Sequence, residues 1–201
     1  MAIATYSDLN ASIANWLARS DLTSVIPDFV ALFEARINRV LQVRQMVTST
    51  TLTPSSGVAT LPTDYLEWRR VTWAGDYRVN LQYVVPAYFA EQYPDSPSDV
   101  PRVFTIEGAS LKVMPISDTS IDFLYAQKVP ALSASNTTNW LLTAHPDVYL
   151  AGSMVEARAY NMNGESAMAW NSKAENAMNE IIQLSAHTEA QASQRVTGAT
   201  P

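Results

Sequence analysis

The chain has 201 residues, enough for one large domain or two small ones with a genuine core, and its 47% hydrophobic and 9% aromatic content suits a folded protein. It contains no cysteine, which excludes disulfides, thiol nucleophiles and cysteine-held metals. The net charge of -6, from 13 basic against 19 acidic side chains, argues against tight nucleic-acid binding, which calls for a basic footprint. No run approaches the ~20 apolar residues of a membrane helix, so no membrane partner is expected. The start MAIATYSDLNA lacks the basic and apolar regions of a signal peptide, which points to the cytoplasm.

Two amphipathic helices open the chain. In the first, Leu9, Ile13, Trp16 and Leu17 recur at helical spacing, and Thr5 with Asp8 forms a capping box. In the second, Ser24 is the expected cap and Pro27 lies in the first turn. Its apolar stripe is Ile26, Phe29, Val30, Phe33, Ile37, Val40 and Leu41. The pair ends in Arg36, Arg39 and Arg44, and it contains no catalytic set.

After Met46 the pattern alternates. Residues 47–53 and 58–61 flank Pro54-Ser55-Ser56-Gly57, which predicts a hairpin. A second hairpin is expected from Glu67–Ala74 and Tyr77–Val84, reversing at Gly75-Asp76. Pro86–Tyr93 reads as a short helix, and strands follow at Arg102–Glu107, Leu111–Pro115 and Ser120–Val129, with a reversal at Gly108-Ala109. The middle is therefore an antiparallel sheet or small sandwich of six or seven strands.

Residues 130–139 are a Ser/Thr/Asn-rich loop leading back to helix. Thr143 is the expected cap there, with Pro146 and Asp147 in the first turn. Asn163-Gly164 breaks this helix, and the last one is expected from Glu165 to Ala186. Residues 187–201 are polar and small, so a flexible, extended tail is predicted. The fold class that results is α+β. N-terminal helices (1–46) and C-terminal helices (138–186) form one bundle, with an antiparallel β lobe (47–130) inserted between them.

Chemistry is sparse. His145 with Asp147 could be a base and its orienting carboxylate, but the HPD order fits a helix start. His187 falls where the last helix frays, and two histidines 42 positions apart cannot make HExxH. Glu91, Asp95 and Asp99 could supply a glycosidase pair, although acids beside Pro and Ser are usually turn formers. No nucleophile elbow or phosphate loop occurs. Arg69 and Arg70 between Trp68 and Trp73 read as a single-strand platform or as core tryptophans with snorkelling arginines. Alternation would put Trp68 and Arg70 on one face and Arg69 and Val71 on the other. Trp140, Leu141 and Leu142 are either a binding hot spot or a core plug. No catalytic residue, metal ligand or cofactor is assigned.

Charge is unevenly spread. Residues 1–50 hold four acids and four bases, whereas residues 141–201 hold six acids and three bases. The acidic C-terminal surface is either a solvated helix face or one that weakly repels DNA. Arg36, Arg39 and Arg44 could pair with Glu175 and Glu180 of a neighbouring copy. They could equally pair with Asp28, Glu34 or the C-terminal helices of their own chain.

The order of elements in YSDLNASIANWLARSDL and IPDFVALFEARINRVLQVRQM resembles the N-terminus of head-to-tail adaptor proteins of tailed bacteriophages. The block TNWLLTAHPDVYLAG (138–152) is similar to the second signature of that family, and with TLTPSSGVATLPTDYLEWRRV the likeness covers roughly residues 3–185. The resemblance implies a non-enzymatic virion protein of the neck, assembled in the bacterial host cytoplasm. Copies would form a ring, twelvefold in the family, beneath the portal protein. The ring would contact tail or nozzle proteins and let genomic DNA pass through its channel without sequence-specific binding. It further implies that Thr188–Pro201 docks on the portal, with Thr188, Gln191, Gln194, Arg195 and Val196 as contacts. Other readings are a different neck component (nozzle or completion protein), a cell-wall or polysaccharide hydrolase, and a nucleic-acid-binding regulator, the last disfavoured by charge.

Overall fold

The computed structural model describes residues 3–19, 21–92 and 99–197, with side chains as far as Thr188 and at Ala190. Six α-helices and eight β-strands lie among them, in a mixed α+β architecture. The chain divides into two compact units: a helical unit made of Met1–Arg44 and Val129–Pro201, and a β unit, Gln45–Lys128. The N- and C-terminal helices thus fall in one unit.

In the helical unit, α1 (Tyr6–Leu17) starts at the expected capping box. The Thr5 hydroxyl accepts from the Asp8 N–H at 3.3 Å, and the Asp8 carboxylate accepts from the Thr5 N–H at 3.0 Å. Hydrogen bonding from Thr5 holds the Asp8 carboxyl below its ordinary pKa. Leu9, Ile13 and Leu17 are buried, but Trp16 is 54% exposed, at the edge of the apolar stripe. The second helix, α2 (Ile26–Val40), has Pro27 in its first turn as expected. Ser24 does not cap it: Val25 is the N-cap, without a side-chain bond, because Leu22 C=O already accepts from the N–H groups of Val25 and Ile26. Val40, expected in the stripe, is half exposed at the helix end, and the stripe closes instead on buried Leu41.

The returning chain forms α4 (Trp140–Ala144), α5 (Pro146–Tyr160) and α6 (Gly164–Thr197). Thr143 is not the cap. Asn139 is, its Oδ1 accepting from the Leu142 N–H at 2.8 Å, and the Thr143 hydroxyl donates back to the Asn139 carbonyl. Leu141 and Leu142 are fully buried, which makes this segment a core plug. After α5, Met162 adopts a left-handed φ of 55° and Asn163 Oδ1 accepts from the Ser166 N–H, starting α6. That helix passes the expected end at Ala186 and continues to Thr197, so the segment after 186 is helical where an extended tail was expected. The reason is propensity: residues 187–197 contain alanine, glutamine, glutamate and arginine, with no glycine or proline before position 198.

The centre of this unit is α5, which packs against α1, α2, α4 and α6. Its buried set, from Val148 to Ala157, runs around the helix instead of along one stripe, as a helix enclosed by others requires. At Gly152 a Cβ would meet the Phe33 ring at 2.0 Å, so glycine here lets α2 and α5 approach closely. Phe33 is completely buried and meets Tyr149 edge-on, with ring centroids 5.9 Å apart.

A buried polar network fixes the loop before α4. Glu34 Oε1 accepts from the Leu132 N–H at 2.8 Å and from the Tyr149 hydroxyl at 3.1 Å. Asn139 Nδ2 donates to Tyr149 Oη and to the Pro130 carbonyl, each at 2.7 Å. One turn along α2, Asn38 Oδ1 accepts from the Val129 N–H at 2.9 Å. Burial pushes the Glu34 carboxyl above its ordinary pKa, only partly opposed by the Leu132 and Tyr149 bonds. Burial, then the Glu34 charge, pushes the Tyr149 hydroxyl up as well.

The β unit is a two-sheet sandwich. One sheet has the order β1-β8-β3-β4, formed by Val47–Leu52, Ile121–Gln127, Tyr65–Ala74 and Arg78–Asn80. The other is β2-β7-β6-β5, formed by Val58–Thr60, Ser110–Met114, Val103–Glu107 and Gln82–Tyr83. Inner faces of both contribute to one core, including Leu52, Val71, Trp73, Phe104, Leu111, Val113, Ile121 and Phe123. Below β6 packs α3 (Pro86–Gln92), the short helix expected there, through buried Phe89.

Three pairings differ from expectation. The reversal at Pro54–Gly57 exists, since Ser55 and Val58 exchange both backbone hydrogen bonds, yet β1 pairs with β8 and β2 with β7. The expected hairpin therefore splits between sheets, because each strand finds a longer apolar partner elsewhere. The hairpin at Gly75-Asp76 forms between β3 and β4, but the strand expected over Tyr77–Val84 breaks at buried Leu81. Its second half, β5, joins the other sheet parallel to β6, so the lobe is not wholly antiparallel, and its described residues form eight strands. Register shifts between Trp68 and Arg70 overturn the expected alternation. Trp68 and Val71 both pack on the core, and Arg69 and Arg70 are exposed.

In the tight turn, Ser56 and Gly57 have φ of 51° and 74°, the signature of a type I′ loop. Serine is strained in this left-handed region. Ser56→Asn is expected to raise the stability of the chain by about 0.5 kcal/mol, read as a higher urea midpoint at unchanged slope.

Candidate assembly surfaces

The charged residues singled out in the sequence lie on α2 and α6. Arg36 points along the α2–α6 seam, where Nη1 donates to Asn171 Oδ1 at 2.7 Å and Nη2 to Glu175 Oε1 at 3.0 Å. Asn171 Nδ2 also donates to Glu175 Oε1, at 3.0 Å. Of the alternatives open for Arg36, the partner in this chain is its own C-terminal helix, not Asp28 or Glu34. Glu34 is buried and occupied by Leu132 and Tyr149. Arg39 and Arg44 are exposed, and neither pairs with a carboxylate among the described residues. The Arg44 backbone N–H, beyond the end of α2, donates to Ser185 Oγ at 3.0 Å, so α2 and α6 run in the same direction.

The opposite flank of α6 borders a groove that sequence reasoning missed. It has a volume of about 430 Å³ and lies between α1, α5 and α6; Trp16, Leu150, Trp170, Lys173, Ala177 and Glu180 are among its lining. Trp16 and Trp170 meet edge-on with centroids 5.3 Å apart, and Lys173 Nζ lies 4.6 Å from the Trp170 ring centre. A smaller hollow of about 150 Å³ continues it past His145, Asp147 and Glu180 to Leu184, which is 61% exposed. The signal for this groove was present in the sequence. Trp170, Lys173, Ala177, Glu180 and Leu184 repeat at heptad spacing, on a different side of α6 from buried Ala174, Met178 and Ile181.

On the C-terminal part of α6, the Thr188 hydroxyl donates to the Leu184 carbonyl at 2.8 Å. The side chains of Gln191, Gln194, Arg195 and Val196 lie outside the described residues.

The residues weighed for catalysis are dispersed. His145 is the N-cap of α5 and uses its backbone there, not its ring. Glu91, near the end of α3, and Asp99 are both exposed, and Asp95 lies outside the described residues. On the outer face of the first sheet, Arg70, Arg78 and Asp122 line a polar hollow of about 300 Å³ with Ser49, Thr50 and Thr51. Arg78 is paired there with Asp122 at 2.8 Å. Among the described residues no group of three His, Asp or Glu side chains could hold a metal ion, and no helix is long and apolar enough to cross a membrane.

What the geometry offers is therefore surface: a long helix held by Arg36 of α2 on one flank and bordering an aromatic, acidic groove on the other, with Arg39 and Arg44 exposed nearby. No curated protein matches the chain. Among protein families, the one described as SU10 adaptor protein matches residues 4–198, a span that takes in both helical ends and the β unit. The match reaches further than the signatures resembled at 6–46 and 138–152 and covers nearly the whole chain. This chain belongs to the SU10 adaptor protein family and is a phage adaptor protein.

Proposed function

We propose that copies of this chain assemble into a ring beneath the portal of a DNA-filled capsid and present a platform to the tail. The observation that carries this reading is the family match over residues 4–198, which spans both helical ends and the inserted β unit. The helical units build the ring wall around the channel, twelve copies in the family's pattern, and the β units lie peripherally or towards the tail. Genomic DNA slides through without sequence-specific contact, helped by the acidic excess of residues 141–201. Such a protein resides in the virion neck after assembly in the host cytoplasm.

Portal docking falls to the segment from Thr188 onwards, through Thr188, Gln191, Gln194, Arg195 and Val196. The helical form of residues 188–197 supports a helix-in-groove mode in place of an extended one. Ring closure draws on Arg39, Arg44 and Glu180. Arg36 and Glu175 already neutralise each other within one chain, so they serve the subunit interior first.

Mixing the chain with its portal and counting copies by electron microscopy tests the ring, with twelve expected. A truncation after His187 should abolish portal binding while leaving the β unit folded. Undiminished binding by that truncation would move the portal contact elsewhere.

A further inference from the structure

The groove along α6 has a counterpart on the same molecule. On α2, Leu32, Ala35 and Arg39 follow i, i+3, i+7 spacing, and all three are exposed; Leu32 is 54% exposed. This stripe lies beside Arg36, the residue that turns towards α6, so it faces away from the core. The lining of the groove repeats the same interval: Lys173 and Glu180 are seven residues apart, as are Leu32 and Arg39, about 10 Å along each axis. Ala177 in the groove and Ala35 on the stripe are small, which permits close helix approach.

The charges match as well. Among the described residues Asp147 and Glu180 border the groove without an ion pair, and Arg39 has none on the stripe, whereas Lys173 is taken up by Trp170. Within one chain the stripe and the groove lie on different sides of α6, because α2 occupies its Asn171–Glu175 flank and α1 meets it at Trp170. They cannot satisfy each other internally. A contact of this kind, between two different faces, is heterologous and propagates from copy to copy.

We infer that the groove lined by Trp16, Trp170, Ala177 and Glu180 receives α2 of a second copy of this chain, Leu32 seating against the tryptophans and Arg39 meeting Glu180. Each α6 is then flanked by its own α2 on one side and by a neighbour's α2 on the other. The inference deepens the ring reading above by naming the surfaces that meet.

The absence of cysteine supplies a clean test. One chain carrying R39C is mixed with another carrying E180C, with and without portal, and treated with a short bis-maleimide. Both positions are exposed, so neither substitution threatens the fold. A covalent R39C–E180C dimer is expected, and a chain bearing both substitutions should give a ladder of oligomers. R39E and E180R should each weaken self-association about tenfold, and together restore it. Only homotypic E180C dimers, capture of E180C by the portal alone, or no crosslink would overturn the contact. Rings without the crosslink would remove this contact and keep the ring. The crosslink without twelvefold rings would keep the contact and remove the ring reading.

Discussion

Gly152→Ala is expected to lower the stability of the protein by about 3 kcal/mol. Alanine is ordinarily the better helix former, by about 0.5–1 kcal/mol over glycine in a helix interior, so the sign runs against propensity. It is decided by space. The added Cβ would stand 2.0 Å from Cε2 of Phe33, and that ring is completely buried with Tyr149 against its edge. The ring has nowhere to retreat, so α2 and α5 must part. Thermal unfolding followed by circular dichroism should show a loss of about 6–12 °C. A second substitution, Phe33→Leu, removes the obstructing atoms, and the double variant should be more stable than the sum of the single effects by at least about 1 kcal/mol. Simple additivity would mean that the two helices are not held at the separation described.

The next largest effect concerns Glu34. Removing the carboxylate in Glu34→Ala leaves the Leu132 N–H and the Tyr149 hydroxyl without an acceptor in a buried site, at a cost of about 3 kcal/mol. Glu34→Gln keeps the Oε1 acceptor and should remain within about 1 kcal/mol of the parent. The pair also separates charge from hydrogen bonding. Because the folded state holds the Glu34 proton more tightly than the unfolded chain, the stabilising contribution is complete below the unfolded carboxyl pKa of about 4.3. It is lost as pH rises through the higher folded value. The stability of the parent relative to E34Q should therefore rise as pH is lowered from neutrality towards that range, measured as the difference between urea midpoints. A flat difference would show that burial does not govern this carboxyl.

Much of this fold was legible because the signals are local. The Thr5–Asp8 box, Pro27 in the first turn of α2, the reversals at Gly75-Asp76 and Gly108-Ala109, and the break at Asn163-Gly164 all depend on a few adjacent residues. Strand partners were not legible in the same way. Nothing in VTST or VAT specifies that one strand pairs with Ile121–Gln127, far along the chain, and the other with Ser110–Met114, since pairing is settled by long-range burial. The bulge around Trp68 is of the same kind, and it moved a tryptophan and a valine to one face against strict alternation.

The end of α6 was missed for a different reason. Low hydrophobicity after Ser185 marks the end of packing and not of the helix, because alanine- and glutamine-rich sequence without a breaker sustains one. Glu34 carries a readable clue. It lies on the same face of α2 as Phe33, Ile37 and Leu41, and a carboxylate among buried positions requires donors. The groove beside α6 is hidden for the converse reason: the 34-residue helix carries two separate stripes, Trp170 on one and Ala174, Met178 and Ile181 on the other.

The order in which the chain leaves the ribosome gives the two-unit division a further meaning. Residues 45–128 contain every strand of the sandwich and can fold as soon as they emerge. The first two helices cannot: α5, against which both pack, begins only at Pro146. Until then Leu9, Ile13, Phe29 and Phe33 have no enclosing surface, and closing that unit spans more than a hundred residues of chain. A nascent or truncated chain therefore carries a finished β sandwich beside an unfinished helical unit. Closure of the helical unit is in this way conditional on translation through α5, a dependence written into chain order.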